Sequence, residues 1–480
     1  MSDGAPAAPG AGAAKGQGAR VDLRELYRRF LKNAGMIIGS RVVFGLLNLG
    51  TNVLVARAFG LGDLGVVLLL QSYARLFSEI VKFQSWQAVL RFGAILEEQG
   101  DWNQFRKLVG FTLSIDVVSF VIAIAGAIVF IPWARVWFEW PPGVVDFAPF
   151  YMLSIIFITH ATPNGVLRLF DRVDMLALQY ASNSVLRFLG VLLAWLLGGE
   201  VLHIVLAWFG ASVLSGALVY VASFVEMRRR ALKPRLTLRW SRAAAAFPGV
   251  WRYLWMSNLA SAAPLVVNYG TVLVVGAQLG AASAAIFDIA RQFSTALARP
   301  TRLLGPLLFP EFSRLAARGD WVSIRRIMKK QLVMTGAALV VFATILFSVL
   351  PYAIEVLFGP ELVAEIWLFN LLIAGSLLRV LGFALEPAFL SANKAGTLLV
   401  LQLIATAVFV AIALPLLGPM GLIAIGFGML GFQVVYFVLF MVIGRRLLKK
   451  RIRRSRAAEA AAEREAAARA EIAEERPDLI

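Results

Sequence analysis

Runs of mainly apolar residues about 20 long, enough to cross the hydrocarbon core of a bilayer as a helix, recur along the chain with short polar breaks between them. The pattern predicts twelve transmembrane helices, over 35–58, 62–90, 108–131, 146–169, 175–197, 201–226, 249–276, 281–309, 331–350, 363–389, 396–416 and 420–443. Ahead of the first, DLRELYRRFLK sets Leu23, Leu26, Tyr27, Phe30 and Leu31 on one helical face and Arg24, Arg28, Arg29 and Lys32 on the other. Such a helix, over 21–33, suits the membrane interface. Residues 1–20 are rich in Gly, Ala and Pro, lack the apolar segment of a signal peptide, and read as a disordered tail.

Composition agrees: 59% hydrophobic, 16% charged and a mean hydropathy of +0.76 over 480 residues describe a polytopic membrane protein. The 47 Lys and Arg give a net charge of +18, and their placement explains that excess. They crowd into both tails and the segments 91–107, 168–174, 228–242 and 311–330, whereas the alternate loops carry only Arg135. This asymmetry puts both termini in the cytoplasm. It also removes nucleic acid as a partner, because basic residues flanking spans act as topological anchors and meet anionic lipid. The chain has no phosphate-binding GxxxxGK[ST] loop, no cysteine and two histidines, His160 and His203. It is therefore read as no enzyme, with no metal and no cofactor. The longest outer loop, WARVWFEWPPGVVDF, is short for a membrane glycosyltransferase, and its tryptophans suit interfacial anchoring.

The chemistry lies inside the spans. Arg41, Arg57, Arg75, Lys82, Arg187, Arg252, Arg291, Arg299, Arg302 and Arg379 fall there against the acids Glu79, Asp116, Asp288 and Glu386. A charge facing lipid at mid-bilayer costs ~2.5–3.5 kcal/mol on insertion scales, so most of these should face a watery interior. Spacing supports that. Gln71, Arg75, Ser78, Glu79 and Lys82 share one helical stripe, as do Arg41, Asn48 and Asn52, and as do Asp288, Arg291, Gln292, Thr295, Arg299 and Arg302. Pairs three or four apart, Arg75 with Glu79, Glu79 with Lys82 and Asp288 with Arg291, would partly neutralise one another as internal ties. The remaining cations call for water or an anionic ligand.

The chain is also duplicated. Gly100-Asp101-Trp102 recurs as Gly319-Asp320-Trp321, Arg106-Lys107 as Arg325-Arg326, and Pro132 as Pro351, all 219 residues on. Ala74-Arg75 matches Ala290-Arg291 at 216 and Pro163 resembles Pro387 at 224. Two bundles of six helices, 34–227 and 249–444, joined by a basic cytoplasmic connector over 228–248, would then be related by a pseudo-twofold along the membrane normal. A charged cytoplasmic tail follows over 445–480. A cavity between the halves would be lined by the equivalent second and eighth spans.

The opening segment RFLKNAGMIIGSRVVFGLLNLGTNVLVARAFGLGDLGVVLLLQSYARL, with GDWNQFRKLV after span 2 and GDWVSIRRIM after span 8, resembles the polysaccharide flippases of the multidrug/oligosaccharidyl-lipid/polysaccharide exporter (MOP) superfamily. The resemblance implies an all-α V-shaped transporter whose bundles alternate between inward-open and outward-open states. It implies as cargo a sugar chain on an undecaprenyl pyrophosphate carrier, with membrane lipids and a polysaccharide polymerase or export machinery as partners. The lining role falls on Arg41, Asn48, Asn52, Gln71, Arg75, Glu79, Lys82, Asn268, Asp288, Arg291, Arg299 and Arg379. Arginine's planar fork suits phosphate oxygens. Glu79, Asp116, His160 and Asp288 are the candidates for ion coupling, while the membrane potential alone would favour outward movement of an anion by ~2.3 kcal/mol per charge per 100 mV. Pro300, beside Arg299, is read as a hinge. Two alternatives are a drug or cation antiporter of the same superfamily, whose cargo calls for an acidic cavity, and a non-transporting membrane scaffold.

Overall fold

The computed structural model describes residues 44–475 apart from 235, 238, 239, 241–245, 300 and 393, and every regular element among them is helical. The expected tail over 1–20, the interfacial helix, Arg41 and Pro300 lie outside the described residues. Helix α1 occupies 44–58. It is followed by α2 (Leu61–Val81), α3 (Ser85–Glu98), α4 (Trp102–Phe138), α5 (Pro142–Met152), α6 (Ser154–Ile158), α7 (Ala161–Leu169), α8 (Val173–Leu196) and α9 (Val201–Arg229). Then come α10 (Val250–Ala298), α11 (Thr301–Ala317), α12 (Trp321–Phe358), a 3-10 turn (Pro360–Glu365), α13 (Ile366–Leu381), α14 (Leu385–Ser391), α15 (Ala395–Met420) and α16 (Leu422–Glu475).

Among the described residues nine helices are long and apolar enough to cross a membrane, or ten when the bent pair Pro142–Met152 and Ser154–Leu169 counts as one. Two things separate this from the expected twelve. The first expected crossing, 35–58, lies in part outside the described residues. The seventh and eighth run into each other within α10, where Gly280 (φ 86, ψ 170) is the only turn between them. Gly60 (φ 95, ψ 164) plays the same part between α1 and α2. Both are conformations open to glycine and strained for any other residue.

The GDW repeat has a local cause. Gly100 (φ 69) and Gly319 (φ 74) end a helix in the left-handed region. Asp101 and Asp320 then cap α4 and α12, each accepting from the backbone N–H three residues on, Gln104 and Ser323, at 2.9 Å. Both long helices carry an interior proline, Pro132 and Pro351.

Two expected crossings are broken. The span expected over 62–90 stops at Val81, Lys82 turns extended (φ −63, ψ 130), and α3 starts at Ser85. The span expected over 146–169 breaks at Leu153 and again at Thr159-His160, bending by 54°. Pro163 accounts for the second break, since it has no N–H to give the carbonyl of Thr159. The freed carbonyls find partners: Tyr220 donates to that of Ile156 at 2.9 Å, and His160 Nδ1 lies 3.0 Å from that of Phe157.

One large apolar core joins elements from both ends of the chain, including Leu69 and Leu70 of α2, Tyr151, Trp208, Phe287 and Phe369. Within it α2 and α10 cross closely, because Gly65 faces the Ala281 carbonyl and Gly276 faces Leu69. A Cβ at Gly65 would collide with Ala281 backbone, so the sequence needs glycine there. The connector is partly built in: Phe247 joins the buried cluster of Leu108, Phe111 and Ile115, and the Trp240 indole donates to Ser114 at 3.1 Å.

Candidate functional site: a cationic cavity beside two broken helices

The two helix breaks lie side by side. The hydroxyls of Ser78 and Thr159 are 2.5 Å apart, tying the last turn of α2 to the kink between α6 and α7. Non-helical backbone at this depth is tolerated where it lines a water-filled space. A cavity of about 340 Å³ opens there, lined by Arg75, Glu79, Lys82, His160, Asn183 and Arg187 among others, with Trp86, Asn164 and Arg168 also in its wall.

Its charges are arranged in two ways. Glu79, buried, binds Lys82 at 3.2 Å. Arg75 enters no ion pair among the described residues; its guanidinium lies 5.9 Å from the centre of the Tyr269 ring, and Glu79 and Tyr151 also face it. Arg187 is buried and stacks 4.5 Å over Trp208. With the Gln71 amide oxygen turned toward it, Arg187 donates to that oxygen at 2.7 and 3.1 Å. Its Nε has no partner.

Arg187 was not expected in the site, although Gln179, Asn183 and Arg187 repeat at four-residue intervals and form the same kind of polar stripe that marked α2. Asn48, on α1, donates to the Phe44 carbonyl at 3.1 Å and to Ser184 beside this stripe at 3.4 Å.

The expected lining is only partly assembled. Arg75, Glu79, Lys82 and His160 meet at the cavity, and Gln71 and Asn48 stand behind it. No described residue of α10 to α16 lines it, contrary to an expectation of equal shares from spans 2 and 8. The reason is local. Arg291 pairs with Asp288 one turn earlier on the same helix, and Gln292 donates to the second Asp288 oxygen at 2.7 Å. Arg291 still faces Tyr269 and Arg75, so the two stripes meet through Tyr269. Arg299 reaches back to α1, its Nη1 2.8 Å from where a Cβ on Gly45 would stand. Arg379 ends α13, facing Tyr436 together with Glu386. Asn52 is buried on α1.

Asp116 holds helices together. One oxygen accepts from Ser85 at 2.6 Å and the other from the backbone N–H of Thr162 at 2.8 Å, joining α4 to the first turns of α3 and α7. Among the described residues no three His, Cys, Asp or Glu side chains gather as a metal site would need.

On the opposite side the Arg57 guanidinium, at the end of α1, donates to the carbonyls of Leu357 at 2.9 Å and Val356 at 2.5 Å, the free carbonyls that end α12.

A family model described as "Polysaccharide biosynthesis protein" matches residues 30–316. The chain belongs to that family. The inner membrane protein YghQ of Escherichia coli (strain K12) is 30% identical over 292 residues, 61% of this chain and 82% of YghQ. In fold the chain is similar to an inward-facing multidrug-resistance MATE transporter of the MOP superfamily, with a TM-score of 0.67 at 13% identity over 85% of this chain and 95% of that one. It is also similar to the lipid II flippase MurJ in an inward closed conformation, with a TM-score of 0.65 at 12% identity over 87% and 90% of the two chains. This chain of the polysaccharide biosynthesis family thus shares its fold with transporters of the MOP superfamily, and nine or ten of its described helices are long and apolar enough to cross a membrane.

Proposed function

We propose that this protein carries an undecaprenyl-pyrophosphate-linked oligosaccharide, a polysaccharide repeat unit, from the cytoplasmic to the outer leaflet. The observation that carries the reading is the cationic cavity: Arg75 and Arg187 face it without a carboxylate of their own, beside a Glu79 already engaged by Lys82. Guanidinium forks at a hydrated site meet pyrophosphate oxygens with paired hydrogen bonds. Asn164, Asn183 and the indole of Trp86 in its wall offer the mixed polar and aromatic lining that sugars use. The polyprenyl tail stays in lipid.

Twelve helices in two six-helix bundles, with both termini cytoplasmic, would set the last turn of α2 and helix α7, which line the cavity, toward the basic, cytoplasmic side. Arg57 and the Gly65–Ala281 crossing would then close the outer side. Exchange of these two closures gives alternating access. Glu79 and His160 are the coupling candidates that line the cavity, and an anionic cargo also moves outward down the membrane potential. A polysaccharide polymerase would receive the product. A cationic drug would meet Arg75 and Arg187 in this cavity, which disfavours the antiporter reading.

Proteoliposomes loaded with a polyprenyl-pyrophosphate oligosaccharide test the proposal. Arg75→Ala is expected to slow flipping by about 10- to 100-fold, the worth of one or two charged hydrogen bonds, with Arg75→Lys intermediate and membrane insertion unchanged. Wild-type flipping in Arg75→Ala overturns the assignment.

A further inference from the structure

Arg325, Arg326, Lys329 and Lys330 are all exposed in the first turns of α12, at positions i, i+1, i+4 and i+5. Like charges one turn apart repel. Asp320 at the N-cap faces Arg326, and no ion pair among the described residues holds any of the four. The repeat makes the surplus plain. In α4 the equivalents of Arg325 and Arg326 are again basic, Arg106 and Lys107, but those of Lys329 and Lys330 are the buried Gly110 and Phe111.

An open groove of about 320 Å³ leads from Arg326, Lys329 and Lys330 directly to Val333 and Met334. Those two are 62% and 61% exposed, and no residue of α12 between Ile324 and Leu350 is buried. The groove wall is almost wholly apolar, the stems of Arg326, Lys329 and Lys330 included, and it lies where α12 leaves its charged turns for its lipid-soluble stretch.

We propose that this groove binds a resident anionic phospholipid of the phosphatidylglycerol type. Its phosphate sits among Arg326, Lys329 and Lys330, and an acyl chain lies along Val333 and Met334. A soluble phosphate would use only the first half of the groove, and an acidic protein segment would leave the second half bare. The site is independent of what the cavity carries.

Native mass spectrometry of the full chain in neutral detergent, with phosphatidylglycerol or phosphatidylcholine added, tests it. Phosphatidylglycerol is expected to stay bound and phosphatidylcholine to leave. Lys329→Gln with Lys330→Gln should weaken phosphatidylglycerol retention about 30-fold, at roughly fivefold per surface cation, while Lys329→Arg with Lys330→Arg retains it. Equal retention of both lipids, or equal retention by wild type and the glutamine variant, overturns the proposal. So does displacement of the lipid by glycerol phosphate at equal concentration, since a free phosphate would then suffice. Should the double variant misfold, Met334→Glu places a charge against the acyl chain and should also cut retention; unchanged binding there overturns it equally.

Discussion

Helices α4 and α12 start with the same Gly-Asp-Trp turn, carry the same aspartate cap and hold an interior proline at equivalent positions, yet they live in different surroundings. In its most apolar 18-residue stretch α4 buries 44% of its residues and α12 none. α4 packs along α2, and Phe111 and Ile115 enter a core with Phe247 and Leu254. The buried residues of α12 lie near its ends, Trp321 and Ile324 at one and Leu350, Ile354 and Phe358 at the other, while between them Gln331 donates to the Leu381 carbonyl at 3.1 Å. Local devices that begin and end a helix have therefore been kept across the repeat, whereas burial is set by what passes alongside and has diverged.

Exchanging equivalent residues should break this contrast most severely. Phe111→Lys, which gives α4 the residue α12 has at 330, removes a fully buried ring and buries a lone charge. Loss of the ring alone costs ~3–5 kcal/mol, so the variant should fail to accumulate in membranes. The reverse change, Lys330→Phe, should accumulate normally; immunoblots of membrane fractions compare the two. A smaller effect is expected at the next equivalent pair, Asp116 and Thr335. Asp116→Ala releases the hydrogen bonds that tie α4 to α3 and α7 and should cost roughly 1.5–3 kcal/mol. Thr335 accepts only from Gln331, one turn away at 3.1 Å, so Thr335→Ala should leave thermal unfolding in detergent nearly unchanged.

The smallest effect separates the two caps from the rest of each helix. Hydrogen bonds from Ser323 hold the Asp320 carboxyl below the ordinary carboxylate range. The stability it gives is present above the unfolded-state pKa of aspartate and is lost as pH falls through the lower folded value. The protection of first-turn amides of α12, relative to their intrinsic exchange rates at each pH, should therefore fall under acid in the wild type, and Asp320→Asn should flatten that dependence.

The sequence carried the membrane class and the stripe on α2, because hydropathy and helical period are local and additive. The break at 82–84 was not legible: no proline or glycine marks it. Arg187 was overlooked for a different reason, since its stripe of Gln179 and Asn183 is uncharged and sits in a span judged by its single cation. Arg291 looked like Arg75 in one dimension. What separates them is local, Asp288 three residues earlier on the same helix, and that pair was legible in the spacing.

The clamp made by Arg57 has a lopsided genetics. Its acceptors are main-chain oxygens, so the side chains of Val356 and Leu357 are at liberty to drift without loosening it. Position 57 has no such freedom, and a lineage that exchanged that arginine for lysine would trade a forked grip on adjacent carbonyls for a single mobile ammonium.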